Sequence, residues 1–498
     1  MTQPIVFQGD RKTVTRSSIR TFATVIFGAA VAFGTTLFVS NTVGDGGAGV
    51  FFQILAFFAI ASTACAFGSE TALVKFLTAQ LTLGYRADVF RTIAVALIPV
   101  FIISSVLAGT LWFLAPMLAT FFHDAQAQQL IQLLAIFIIP GSLSTAMFGG
   151  LRGFGRVGVY TTLQNVFLPS LRFASVAAVI LLGLGTVALA AAWVIPVALV
   201  LVISAGYMFH IYRSYQSSAA GSLQSRTAGT TAHPTKSFWS FAAGRGAGSL
   251  VEIVLEWIDV ILVGVFLGPA AAGVYGVVNR CLRLGQMADH SARIVMGPML
   301  GAAIALSDQA RARAIYLMST RVLLLVAWPF YLLLLIGGPT ILTLFGPDFV
   351  AGYPAMVIIS IAMALTVLVG GVQSVLLMSG RSRWQVNNKL AALAVALIGN
   401  LTLIPILGLP GAAISWAAAV LVDSGLAAWE VHHFLHLGLP LRSVALSATL
   451  PLSVYGAGLG LARLSFSPTG FNLAVELTVL TAVYAALVWR FRVRLGLG

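Results

Sequence analysis

Charge is what this chain has little of. Only 8% of its 498 residues are Asp, Glu, Lys or Arg, against roughly 25% in an ordinary soluble domain. With 59% hydrophobic residues and a mean hydropathy of +0.98, too few polar groups exist to cover a surface in water, so lipid is the solvent. Cysteine is scarce as well. Cys65 and Cys281 both fall in apolar runs, which excludes a disulfide framework or a CxxC metal site. Lys and Arg number 28 against 14 acids, but they are scattered through short loops, so no basic surface exists for nucleic acid. No hydrophilic segment is long enough for a soluble catalytic domain, and no nucleophile–base pair or metal motif stands out. Neither enzymatic activity nor a cofactor or metal is therefore expected.

What the chain does have is a series of apolar runs of about 20 residues, each long enough to cross a bilayer. They fall at 21–41, 49–73, 92–118, 129–150, 158–182, 186–211, 240–267, 271–300, 320–345, 354–378, 388–407, 411–431, 441–462 and 470–489. The first lacks a small-residue cleavage site and reads as a membrane helix rather than a signal peptide. The fold class is thus an all-α polytopic membrane protein with about fourteen transmembrane helices. The loops alternate in charge. Arg11, Lys12, Arg16, Arg20, Lys75, Arg86, Arg91, Arg152, Arg156, Arg213, Arg226 and Lys236 fall on one side. Arg311, Arg313, Arg321, Arg381, Arg383, Lys389, Arg442, Arg490, Arg492 and Arg494 continue it. The opposite loops, near Asp45, His123–Asp124, Gly183–Gly185, Gly268, Pro347–Asp348, Gly408–Pro410 and 463–468, hold only Arg463 as a basic residue. Positive charge stays inside, which places both termini in the cytoplasm of a bacterial inner membrane.

The chain repeats itself at a separation of about 225 residues. Gly44 to Phe51 recurs as Gly268 to Tyr275, Gly155-Arg156 as Gly380-Arg381, and Leu182 to Gly185 as Leu407 to Pro410. Six runs lie in each copy, so the copies share one orientation and form parallel repeats about an axis along the membrane normal. The expected organisation is a six-helix lobe at 1–212, a flexible cytoplasmic linker at 213–236, a second lobe at 237–436, and helices 13 and 14 with a tail at 437–498.

Ionisable residues inside these runs are costly and face protein or water. They concentrate in the seventh and eighth. Arg245, Glu252, Glu256 and Asp259 share one helical face, and the eighth run holds Arg280, Arg283, Asp289, His290 and Arg293. Counting from the turn near Pro269, Asp259 matches Arg280 in depth and Glu256 matches Arg283, which predicts two ion pairs. Such pairs can be purely structural. The same arginines can also meet an anion, because the guanidinium fork binds phosphate bidentately. Glu252 and Glu256 are candidates for coupling to protons or Na⁺, with Asp259, Glu70 and Asp423 as further cavity acids, and Arg172 is another isolated intramembrane cation. Glu70 has Lys75 nearby as a local partner, and Glu476 reads as structural. His432, His433 and His436 form an HHxxH near Glu430, read as interfacial rather than metal-binding.

The Gly-x-x-x-x-Gly-Val-Phe/Tyr turns at 44–51 and 268–275, Arg280, the Gly-Arg turns at 155–156 and 380–381, and the loop Leu344 to Phe349 occur in an order that resembles the polysaccharide exporters, the lipid-linked oligosaccharide flippases of the multidrug/oligosaccharidyl-lipid/polysaccharide exporter superfamily. The resemblance covers nearly the whole chain. It implies two six-helix lobes forming a V around a central cavity, plus two extra C-terminal helices. It implies movement of an undecaprenyl-pyrophosphate-linked glycan to the outer leaflet. It also implies that cavity cations engage the pyrophosphate or sugar, for which Arg245, Arg280, Arg283, Arg293 and Arg172 are the matching positions. The implied partners are the lipid-linked glycan, membrane lipids and polysaccharide polymerase or ligase machinery. Lipid II flippases of this superfamily carry a basic residue in span 1. None lies between Thr21 and Thr42 here, which counts against that substrate. A cation-coupled multidrug antiporter of the same fold and a membrane-embedded glycan enzyme are the alternatives.

Overall fold

The computed structural model describes residues 8–83, 88–120, 126–220, 234–438, 441–465 and 470–492. The middle of the expected linker, with Arg226, and the positions Arg86, His123, Asp124 and Arg494 lie outside them. So do the side chains of Arg11, Lys12, Arg16, Arg20, Arg442 and Arg463.

The described residues form helices and no strand. The helices are α1 (Gln8–Ala66), α2 (Ser69–Leu83), α3 (Val89–Ala119), α4 (Ala127–Gly153), α5 (Val157–Thr162), α6 (Leu168–Leu181) and α7 (Gly185–Ala220). They continue as α8 (Pro234–Leu267), α9 (Pro269–Ala305), α10 (Gln309–Thr343), α11 (Tyr353–Leu368), α12 (Val372–Met378), α13 (Ser382–Leu407) and α14 (Leu409–Leu435). The chain ends in α15 (Leu441–Pro451), α16 (Gly458–Ser465) and α17 (Gly470–Phe491). In hydrocarbon every backbone group must bond within its own segment, which is why apolar runs become helices. Helix fills most of each of the fourteen runs, and among the described residues 10 helical segments are long and apolar enough to cross a membrane by length and composition; α8 and α9, which carry the most charge, are not among them. The first two runs merge into α1, kinked at Gly44. Helix α7 continues to Ala220 and α8 starts at Pro234, so both ends of the expected linker are helical.

Proline accompanies two irregular turns inside runs. A short π-helical turn at Leu163–Phe167 precedes Pro169, which has no N–H for the Asn165 carbonyl. That carbonyl sits where a side chain on Gly28 would be. A second π turn, Leu452–Ala457, follows Pro451.

By contacts the chain divides into one unit of residues 1–42 with 53–257 and another of 43–52 with 258–498. The core of the first joins Leu73, Leu77, Ala96, Leu151, Met208 and Phe238. Trp239 Nε1 anchors α8 there by donating to the Val95 carbonyl at 3.0 Å. In the second unit one cluster gathers Leu300, Tyr316, Val375 and Val431. Another packs Leu325 against Tyr455, Leu473 and Tyr484 of the C-terminal helices. Lipid supplies no hydrophobic drive between helices, so close approach of small residues and such hydrogen bonds hold them.

The repeat legible in the sequence is a repeat of backbone conformation. Gly44 and Gly268 have φ of 70° and 88°, Gly155 and Gly380 74° and 75°, and Gly183 and Gly408 66° and 65°. At Gly44 and Gly268, ψ is −174° and 174°, a region open essentially only to glycine. Within the second unit the two turns pack on each other with local two-fold character. A Cβ on Gly49 would overlap the Pro269 carbonyl oxygen, and one on Gly273 the Asp45 carbonyl oxygen. Residues 45 and 269, like 49 and 273, are equivalent positions of the repeat.

Candidate functional site

Helix α8 buries Val251, Trp257, Val260 and Val263. Along its first part Arg245, Glu252 and Glu256 are exposed, and side chains added at Gly244 or Gly248 would meet nothing. Exposed charges in the middle of an apolar helix cannot be left to hydrocarbon, so this row faces water or polar groups.

Asp259 is different. It is 1% exposed, and its carboxylate accepts from the Val260 N–H at 2.8 Å and from Asn279 Nδ2 at 3.3 Å. The Tyr275 hydroxyl lies beside it, with the Arg283 charge in range. The expected Asp259–Arg280 pair is not formed. Matching depth was right, but the rotation of α9 turns Asn279, one residue earlier, toward the acid. The Arg280 guanidinium instead stands 6.0 Å from the Phe52 ring centroid. Tyr275 and Asn279 were missed by reading charges alone. The signal was available, since an Asn in an apolar run needs a partner. The side chains of His290 and Arg293 lie outside the described residues.

Arg172 has a partner that the sequence hides. Helix α7 contains Pro196, which offers no N–H to the Ala192 carbonyl and pushes it outward. Ser175 Oγ lies 2.7 Å from that oxygen, and Arg172 Nε donates to the next carbonyl, Trp193, at 3.0 Å. Its guanidinium covers the Trp193 ring at 4.2 Å. Ser175 thus satisfies the carbonyl that a membrane proline frees, and Arg172 ties the next one to α6.

Glu70 pairs with Arg152 of α4, not with Lys75, whose ammonium sits 3.9 Å from the Phe241 ring centroid. Arg152 also covers Tyr160 at 4.8 Å. Asp423 accepts from Gln373 Nε2 at 3.1 Å and lies 4.0 Å from Lys389 Nζ. Gln385 extends the network to Gln373 at 3.2 Å. His433 stacks on Trp429 at 5.5 Å, and Glu430 accepts from Asn388 at 2.7 Å. The candidate residues therefore do not form one site. Arg245, Glu252 and Glu256 line an open helix face, Asp259 is sealed in a polar knot beside Arg283, and Glu70 and Asp423 are tied to cations of neighbouring helices.

Among curated protein sequences none matches the chain. Solved structures do match in fold. A structure described as "Lipid II flippase MurJ, inward closed conformation" has a TM-score of 0.70 at 12% identity, covering 95% of this chain and 98% of that one. An inward-facing multidrug resistance MATE family transporter of the MOP superfamily has 0.63 at 13%, covering 84% and 98%. A MOP superfamily transporter from Pyrococcus furiosus, whose binding pocket is described as reversed in polarity, has 0.50 at 15%, covering 86% and 96%. Identities this low establish the fold alone, and that fold is a membrane transporter's. Residues 14–304 match the model of the family described as "Polysaccharide biosynthesis protein". That stretch is more than half of the chain and includes the charged face of α8 and the polar knot at Asp259: the chain belongs to the polysaccharide biosynthesis protein family.

Proposed function

We propose that this protein flips an undecaprenyl-pyrophosphate-linked oligosaccharide across the bacterial inner membrane by alternating access, for exopolysaccharide or lipopolysaccharide O-antigen synthesis. The observation that carries this reading is the exposed row of Arg245, Glu252 and Glu256 on α8, a helix whose other residues are mostly apolar. A sugar headgroup crossing a bilayer needs a hydrated lining rich in donors and acceptors, while its polyprenyl tail can stay in lipid. The pyrophosphate needs guanidinium forks. Arg280 and Arg283 are half-buried at the polar stretch of α9 and are the arginines assigned to it, with Arg293 and Arg245 as further contacts. The loop charges favour an inner-membrane protein with both termini cytoplasmic. Glycan polymerase or ligase machinery is the class of partner that would take the product.

The lipid II reading has the fold in its favour but lacks a basic residue in span 1. A second reading, a cation-coupled multidrug antiporter, is favoured by the likeness to the MATE transporter. In that reading Glu252 and Glu256 would bind the organic cation.

Deletion of the protein separates these readings. The flippase reading expects lipid-linked oligosaccharide to accumulate on the cytoplasmic face, with surface polysaccharide lost; the mass of that lipid identifies the glycan. Normal lipid-linked pools with raised sensitivity to cationic drugs would replace it with the antiporter.

A further inference from the structure

The two Gly-Arg turns of the repeat share a backbone but not their surroundings. Arg156 and Arg381 have φ of −89° and −95° with ψ of 48° and 44°, and both are exposed. Val159 and Ser204 of the first copy stand where the second has Trp384 and Trp429. The second copy thus adds aromatic rings around the same arginine.

These rings form a shelf at the start of α13 and the end of α14. The Arg381 guanidinium lies over the Trp384 ring at 4.2 Å. Trp384 meets Phe434 at 4.9 Å, and Phe434 meets Trp429 at 5.4 Å and His433 at 4.9 Å. Trp429 is 56% and Phe434 44% exposed. Rings this open are unfavourable in water and favourable at the headgroup level of a bilayer. Helix lengths place them there. Trp384 lies about 35 Å from the far end of α13, and Trp429 about 30 Å from the start of α14, close to the thickness of the hydrocarbon layer.

The charge on the shelf is open. Stacking uses one face of a guanidinium and leaves its in-plane N–H fork able to hold an oxyanion. Among the described residues no carboxylate pairs with Arg381. The acids of α14 are engaged elsewhere, Glu430 with Asn388 and Asp423 with Gln373 and Lys389. Arg381 is also the N-cap residue of α13, where the helix dipole adds partial positive charge. A phospholipid matches this surface, because its phosphate sits at the level of the guanidinium and its chains begin at the level of the rings.

We propose that the turn at Arg381 is a binding site for one anionic phospholipid. The Arg381 fork holds the headgroup phosphate, and Trp384, Phe434 and Trp429 support the glycerol and the first methylenes. A zwitterionic headgroup brings its own cation, which Arg381 repels, so a net negative headgroup is preferred. The site does not depend on the transport reading above.

The test uses the full chain in nanodiscs, with phosphatidylglycerol replacing phosphatidylcholine stepwise at fixed ionic strength and Tm as the readout. Native mass spectrometry counts the lipid that stays bound. The wild type is expected to show a saturable rise in Tm and to retain one phosphatidylglycerol. Arg381→Ala weakens that binding roughly tenfold, the worth of a hydrogen bond to a charged group, and Trp429→Ala weakens it by a smaller factor. Arg156→Ala removes the same charge at the equivalent turn, which lacks the shelf, and leaves the titration unchanged. All three side chains are exposed, so each variant keeps the wild-type Tm in pure phosphatidylcholine. Equal losses in Arg381→Ala and Arg156→Ala overturn the site, because they show attraction by net charge alone. A wild type indifferent to phosphatidylglycerol overturns it as well. A Tm that rises with protein concentration in detergent, and ceases to do so in Trp429→Ala, overturns it in favour of a second copy on the shelf. No lipid-linked glycan enters the measurement, so its outcome and that of the deletion experiment are independent.

Discussion

Charge inside the membrane has four different fates among these residues. Arg245, Glu252 and Glu256 stay exposed on α8. Asp259 is buried and matched by neutral donors. Glu70 and Asp423 find cations, and Arg172 is matched to backbone carbonyl and indole. Arg280 and Arg283 are the arginines proposed for the pyrophosphate. Arg280→Ala or Arg283→Ala is expected to abolish polysaccharide export at unchanged protein level, with binding of the lipid-linked substrate weakened by about 10-fold or more, the worth of a hydrogen bond to a charged group. Export at the wild-type rate with either change removes that arginine from the site.

Helices here are shaped by the residues that break them. Pro196 opens α7, Pro169 and Pro451 precede or follow π turns, and Gly370 interrupts the tenth run. At Pro196 the freed Ala192 carbonyl is satisfied by Ser175, and Arg172 donates to the next carbonyl, Trp193, so both residues clamp α6 to α7. The role of Ser175 predicts a thermodynamic coupling. Ser175→Ala should lower stability by about 1 kcal/mol beside Pro196, and by distinctly less in a Pro196→Ala background, where the restored backbone N–H bonds the Ala192 carbonyl. A double-mutant cycle on Tm in detergent measures it. Equal losses in both backgrounds would show that Ser175 does not act on the carbonyl that Pro196 frees. The run 158–182 was legible in the sequence. Its partnership with Pro196 was not, because the two residues are joined only when α6 and α7 pack.

For the whole molecule, the orientation argument makes a prediction that helix geometry does not supply. Fourteen crossings with basic loops on one side require both termini on that side. Reporters fused after residue 498 and before residue 1, one type active only in the cytoplasm and the other only outside it, should both report cytoplasm. Opposite sides would mean an odd number of crossings and would reverse the loop assignment in one half. The charge count is a strong guide here because only Arg463 breaks the pattern on the outer loops.

The sequence by itself determined the solvent, the helical class and the internal repeat. Each follows from one-dimensional quantities: hydropathy over about 20 residues, the sidedness of Lys and Arg, and the spacing of glycines that only a positive φ requires. The repeat was visible in Gly44 and Gly268 because a conformation closed to other residues preserves glycine in both copies. Which polar groups meet was decided by tertiary structure. Asn279 rather than Arg280 reaches Asp259, Arg152 rather than Lys75 reaches Glu70, and Trp384 of α13 meets Phe434 of α14. A shift of one residue turns a helical side chain by about 100°, and packing between helices selects among those directions with energies that no single helix contains.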